Sequence, residues 1–233
     1  MKFPGKEDVA LACRVLAQQG LARDVLGHVS LRTGTGMLIR CRGPKERGLL
    51  HTEAADVHEV ALDGPYELPY GYAVPAELPI HAETLRRHPG VNAVVHAHPP
   101  ALVTADLAGV PLLPIVGAFD IPTARLVRDG VPVHPRAVLI RTAALAAEML
   151  TSMGDRPVCV LRGHGLTATG ATLAQAVTRA IGLEHLARMS LDIARAGGTP
   201  RPLPESDLAE LPDLGAELNE EAVWRYLKER SGA

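Results

Sequence analysis

Apolar positions along this chain recur at two periods. Between Glu7 and Gln19, Val9, Leu11, Ala12, Val15 and Leu16 fall on one helical face, and Gly20 supplies a stop. Three short β-like runs follow, Leu26–Arg32, Met37–Cys41 and Val57–Leu62, punctuated by Gly34, Gly36, Gly43, Pro44 and Gly64. The helical period returns over Pro75–Arg87. Pro89-Gly90 stops it, and Val91–His96 reads as a buried strand. Further helices are predicted at Pro100–Leu107, Ile121–Val127, Ala143–Met153 and Ala171–Ala196, and strands at Ala137–Ile140 and Val158–Leu161. The Pro-rich stretch from Gly197 to Gly215 reads as an extended connection, before a last helix over Glu220–Arg230.

Strands alternating with helices predict an α/β fold. With 233 residues, the chain is long enough to bury roughly 70–75% of its unfolded surface. Lys and Arg number 24 against 26 Asp and Glu, a net charge of −2, which speaks against a nucleic-acid partner. No apolar run is long enough for a membrane span. The first twenty residues lack the sustained apolar segment of a signal peptide. Cys13, Cys41 and Cys159 are few and widely spaced, which fits reduced thiols in the cytoplasm. No glycine-rich nucleotide or dinucleotide loop is present.

Histidine changes the picture. The chain holds 10, against 2 Phe, 4 Tyr and 1 Trp. In Val94-Val95-His96-Ala97-His98-Pro99, residues two apart on a strand share a face, so His96 and His98 can reach one divalent ion. A lone His-x-His reads equally as two strand-end histidines. Arg162-Gly163-His164-Gly165 places another histidine on a tight turn after an apolar strand. Glu77 stands near a helix start, where the dipole favours any carboxylate. His81, one turn later on the same face, reads as a core or supporting histidine.

In combination, Glu77-x3-His81, the run HPGVNAVVHAHPP and the later Gly163-His164-Gly165 resemble the class II aldolase/adducin family. The resemblance runs from Gly27-His28-Val29-Ser30 to the final helix, so it implies one domain over residues 1–233. It implies a three-layer α/β/α sandwich around a mostly antiparallel central sheet. It also implies a homotetramer with active sites between subunits. By motif match, His96, His98 and His164 are the metal ligands, with Glu77 as acid/base and further ligand. One divalent metal per subunit follows, with Zn²⁺ first and Mn²⁺, Fe²⁺ or Co²⁺ as alternatives.

The phosphate-binding positions of the sugar-phosphate members read differently here, as Gly27-His28, Cys41-Arg42-Gly43 and Pro75-Ala76. Pro75 has no backbone N–H to donate. In place of hydroxyl and amide donors stand His28, Arg40 and Arg42, and Arg suits bidentate carboxylate recognition. Arg40 and Arg42 alternate on a strand and so share a face, as a carboxylate clamp or as a solvated basic edge.

The run Ile39-Arg40-Cys41-Arg42-Gly43-Pro44 resembles the family's decarboxylases of hydroxylated aromatic dicarboxylic acids, such as dihydroxyphthalates. That branch implies a small carboxylic acid substrate and metal-dependent, non-oxidative loss of CO₂. Glu77 and His28 are then the catalytic candidates, with Arg40, Arg42 and Gly43 binding substrate. The alternative is an aldolase or epimerase acting on a sugar phosphate or sugar acid through the same metal site. A non-catalytic scaffold would be expected to lack the metal histidines. Tyr70, Tyr72, Phe119, Asp120, Trp224 and Tyr226 are candidates to line the pocket or a subunit interface.

Overall fold

The computed structural model describes residues 5–231. The first four residues, part of the stretch read as lacking a leader, lie outside them. Helix α1 (Lys6–Gln18) buries Val9, Leu11, Ala12, Val15 and Leu16, the predicted face. Strands β1 (His28–Arg32), β2 (Gly36–Arg40) and β3 (Val57–Ala61) follow. Then come α2 (Leu78–Arg87), β4 (Ala93–Ala97), α3 (Pro100–Leu107), α4 (Ile121–Val127) and β5 (Val133–His134). The second half runs through α5 (Ala143–Met153), β6 (Val158–Leu161), β7 (Gly165–Gly170), α6 (Leu173–Arg195) and α7 (Glu205–Glu210). A wide turn of helix over Glu217–Ala222 leads directly into α8 (Val223–Arg230). Among the described residues no helix is long and apolar enough to cross a membrane.

The strands form one sheet in the order β3-β2-β1-β4-β7-β6-β5. Every neighbouring pair is antiparallel except β5–β6, which is parallel, so the sheet is mixed. Strand alternation divides the side chains between two layers of helices. Val29, Leu31, Leu38, Val95 and Ala97 face one way and pack with α1, α3 and α6. Met37, Ile39, Val94, Cys159 and Leu161 face the other way and pack with α2 and α5. This is the three-layer α/β/α sandwich.

Several elements differ from expectation. The stretch 137–140 is not a strand. The fifth strand is only two residues long, because Pro135, which lacks an N–H, ends its pairing immediately after His134. Strand β7 was not predicted, since glycines at both ends and three polar or small residues between them hide its period. Gly165 is there for space: a Cβ at that position would lie 2.2 Å from the carbonyl oxygen of Ala97 on β4. Within the Pro-rich stretch, α7 forms and buries Leu208. Helix α2 begins at Leu78, so Pro75-Ala76-Glu77 is a turn leading into it.

Candidate metal centre and active site

The site lies on the α2/α5 face of the sheet. In register, His28 on β1 is opposite His96 on β4, and His96 is opposite Thr167 on β7. His98 sits just past the end of β4, where its backbone N–H donates to the Leu21 carbonyl at 3.1 Å. His164 belongs to the turn between β6 and β7, which Gly163 makes possible with φ +58°. Its own N–H closes that turn on the Leu161 carbonyl at 3.0 Å.

Three imidazoles and one carboxylate meet here. Nε2 of His96 lies 2.9 Å from Nε2 of His98 and 3.1 Å from Oε2 of Glu77. Nε2 of His164 lies 3.4 Å from the same carboxylate oxygen. One ligand atom from each of these four residues falls within 4.8 Å of all the others.

The protonation pattern fits a cation at their centre. Nδ1 of His96 is 3.0 Å from the Leu166 carbonyl, which only accepts, so Nδ1 carries the proton and Nε2 presents a lone pair. That lone pair faces a carboxylate oxygen and a second imidazole nitrogen, an arrangement of acceptors that a divalent ion satisfies. Burial pushes the His98 imidazole down to about 3, which keeps it in the neutral form that a metal ion would require.

Glu77 is nearly inaccessible. Burial pushes its carboxyl up, but the imidazoles of His164 and His96 beside it outweigh that and hold the group well below the usual carboxylate range. Its other oxygen, Oε1, accepts the backbone N–H of Ile140 at 2.9 Å. The stretch 137–140 therefore spends a backbone donor on the site instead of on a sheet partner.

His28 stands at the edge of this cluster, its ring 5.0 Å from that of His96. Behind it runs a buried chain. His28 Nδ1 and His81 Nε2 share a hydrogen bond of 2.7 Å, and His81 Nδ1 and Ser30 Oγ share another of 2.7 Å. Burial pushes His28 well below its usual range and brings His81 down to about 3. His81 is thus a supporting histidine, as its position one turn beyond Glu77 suggested. Ser30 was missed, although it alternates with His28 on the same strand face.

Arg40 requires a correction. It alternates with Leu38, so it points to the α1 side of the sheet, whereas Ile39 and Cys41 share the face of the histidines. Its guanidinium is buried and ion-paired to Glu46. Arg40 and Arg42 are therefore not a matched pair of free guanidinium groups. Arg42 is exposed, forms no ion pair among the described residues, and pairs its backbone with Ala73. Gly43 makes room for Tyr72, whose ring would lie 2.9 Å from a Cβ at that position. All three cysteines are free and buried, and burial pushes each thiol up to about 12, so none is a resting thiolate. Trp224 is buried against the helical layer, while Tyr70, Phe119 and Tyr226 are exposed.

Residues 7–191 match the model of the class II aldolase and adducin N-terminal domain. The chain belongs to the class II aldolase and adducin family. Within that family, it is 58% identical to a 3,4-dihydroxyphthalate decarboxylase of Arthrobacter keyseri, over 95% of this chain and 91% of the relative. It is 56% identical to a 3,4-dihydroxyphthalate decarboxylase of a Terrabacter species, over 96% and 95%. Among solved class II aldolase structures, the L-fuculose-1-phosphate aldolase of Thermus thermophilus superposes with a TM-score of 0.68 at 28% identity, over 84% of this chain and 96% of that one.

Proposed function

We propose that this class II aldolase relative is a metal-dependent decarboxylase of a hydroxylated aromatic dicarboxylic acid, with 3,4-dihydroxyphthalate the first candidate. The observation that carries this is the 58% identity to a decarboxylase of that acid over almost the whole chain, against 28% to the sugar-phosphate aldolase.

His96, His98 and His164 would hold the ion, with Glu77 beside it. A divalent metal there would supply Lewis acidity, lowering the pKa of a ring hydroxyl and offsetting negative charge on its oxygen. Zn²⁺ is the first expectation for a site of three imidazoles and a carboxylate, and Mn²⁺, Fe²⁺ and Co²⁺ also suit it.

Glu77 rests as a carboxylate, so it begins as the base. It takes the proton of the ring hydroxyl and returns it to the adjacent ring carbon that bears the departing carboxylate. The bond from that carbon to the carboxylate then breaks. Its electron pair restores the aromatic ring, CO₂ leaves, and the hydroxyl is re-protonated from water. Ile140 holds the carboxylate through Oε1, leaving Oε2 to carry the proton. His28, fixed by His81 and Ser30, orients the ring and blocks its movement toward β1. Arg42, beyond the end of β2, where its backbone pairs with Ala73 instead, and with no ion pair among the described residues, binds the second carboxylate.

The protein acts in the cytoplasm as a single-domain homotetramer with active sites between subunits, in the catabolism of aromatic acids. Large apolar side chains left exposed, among them Leu107, Phe119 and Leu139, support the assembly.

Metal-loaded protein assayed against hydroxyphthalates, pyridine dicarboxylates and a phosphorylated ketose tests this reading. Release of CO₂ from a hydroxyphthalate is expected. Cleavage of the ketose without any CO₂ from the acids would place the chain with the aldolases instead.

A further inference from the structure

The three imidazoles are not held alike. His96 is fixed through its own ring by the bond from Nδ1 to Leu166. His164 has no such bond: its Nδ1 is buried without a partner among the described residues. Its place must therefore come from the backbone turn that carries it.

One side chain among the described residues hydrogen-bonds the backbone of that turn. Oδ2 of Asp106, near the end of α3, accepts the backbone N–H of Gly163 at 2.7 Å. Oδ1 lies 3.7 Å from Nε of Arg162, and the carboxylate is only 7% exposed. The other end of α3 starts immediately beyond His98-Pro99 and is anchored as well. Glu184, fully buried on α6, accepts the N–H groups of Ala101 at 3.1 Å and Leu102 at 2.9 Å. With Pro at 99 and 100, those are the first free donors of the helix. Helix α3 is thus a strut, tied to the chain beyond His98 at one end and to the His164 turn at the other.

We propose that Asp106 is a positioning residue of the metal centre, setting His164 at its distance from His98 by gripping Gly163 across α3. The proposal rests on the metal-binding reading of the histidines. It needs no direct contact between Asp106 and metal or substrate.

The test is divalent-metal affinity of the full chain after chelator stripping, by competition titration with Zn²⁺, together with the absorption spectrum of the Co²⁺ form. Asp106→Ala is expected to weaken Zn²⁺ binding roughly 10-fold or more, as for other groups that support ligands from behind, and to alter the Co²⁺ spectrum. Asp106→Asn keeps an acceptor for Gly163 and is expected to stay close to the parent. If Asp106→Ala is not recovered folded, Asp106→Glu carries the same comparison, since its extra methylene displaces the acceptor while keeping the charge. Parental affinity and an unchanged spectrum in Asp106→Ala or Asp106→Glu, even with a lowered Tm, would overturn the proposal. So would a loss in Asp106→Asn as large as that in Asp106→Ala. Failure of the parent itself to bind a divalent ion would overturn the metal reading and this proposal together.

Discussion

Ile140 donates its backbone N–H to Oε1 of Glu77 at 2.9 Å, and that bond divides the carboxylate between two tasks. One oxygen is anchored to the chain. The other is left 3.1 Å from His96 and 3.4 Å from His164. An amide at position 77 keeps the anchored oxygen as an acceptor but cannot take or return a proton.

Glu77→Gln is therefore expected to retain bound metal through the three histidines while kcat falls by about 10²–10⁴, the usual contribution of a positioned acid/base. Metal analysis and single-turnover CO₂ release on the same preparation check both halves. A variant within a fewfold of the parental rate would remove Glu77 from the proton transfer.

The two arginines should behave oppositely. Glu46→Ala leaves the buried Arg40 guanidinium without its ion-pair partner and is expected to cost about 3 kcal/mol or more of stability, read by urea unfolding. Arg42→Ala, at an exposed side chain, should change stability by less than about 0.5 kcal/mol. It should raise KM for the dicarboxylate. A destabilised Arg42→Ala with unchanged KM would reverse these assignments.

Acid should destabilise the metal-free protein through its buried histidines. Burial brings His81 down from 6.5 to about 3, so between those pH values the unfolded chain binds a proton that the folded chain does not. Stability is then full above about 6.5 and falls as pH drops toward 3. The slope from this one group is about 1.4 kcal/mol per pH unit. His98, also brought down to about 3, adds in the same direction. Denaturant midpoints of chelated protein between pH 7 and 4 check the sign, and His81→Asn should make the dependence shallower. Stability that rises on acidification would contradict the neutral, buried state of these rings.

The parts of this site visible in the sequence are those set by local spacing. His96 and His98 share a face because they lie two apart at the end of a strand, and the Gly-His-Gly turn follows from the glycines. The family resemblance then joined Glu77 and His164 to them. What was hidden depends on partners distant in sequence. The side of the sheet that Arg40 occupies is decided by the pairing of Ser30 with Ile39, which puts Ile39 with the histidines and turns Arg40 to α1. Strand β7 was obscured because its glycines and threonines serve contacts with β4 and α5 rather than a strong apolar alternation. Ile140 looked like a strand residue because its side chain is apolar and buried, but its backbone N–H belongs to Glu77.

The most direct measurement is CO₂ evolved from 3,4-dihydroxyphthalate by chelator-stripped protein titrated with a divalent metal, beside His96→Ala treated identically. The parent should bind one ion per subunit, gain activity in proportion, and release one CO₂ per substrate consumed, while His96→Ala binds no ion and releases none. Full CO₂ release by the stripped protein or by His96→Ala, or none by the metal-loaded parent, would contradict a metal-dependent decarboxylase built on these histidines.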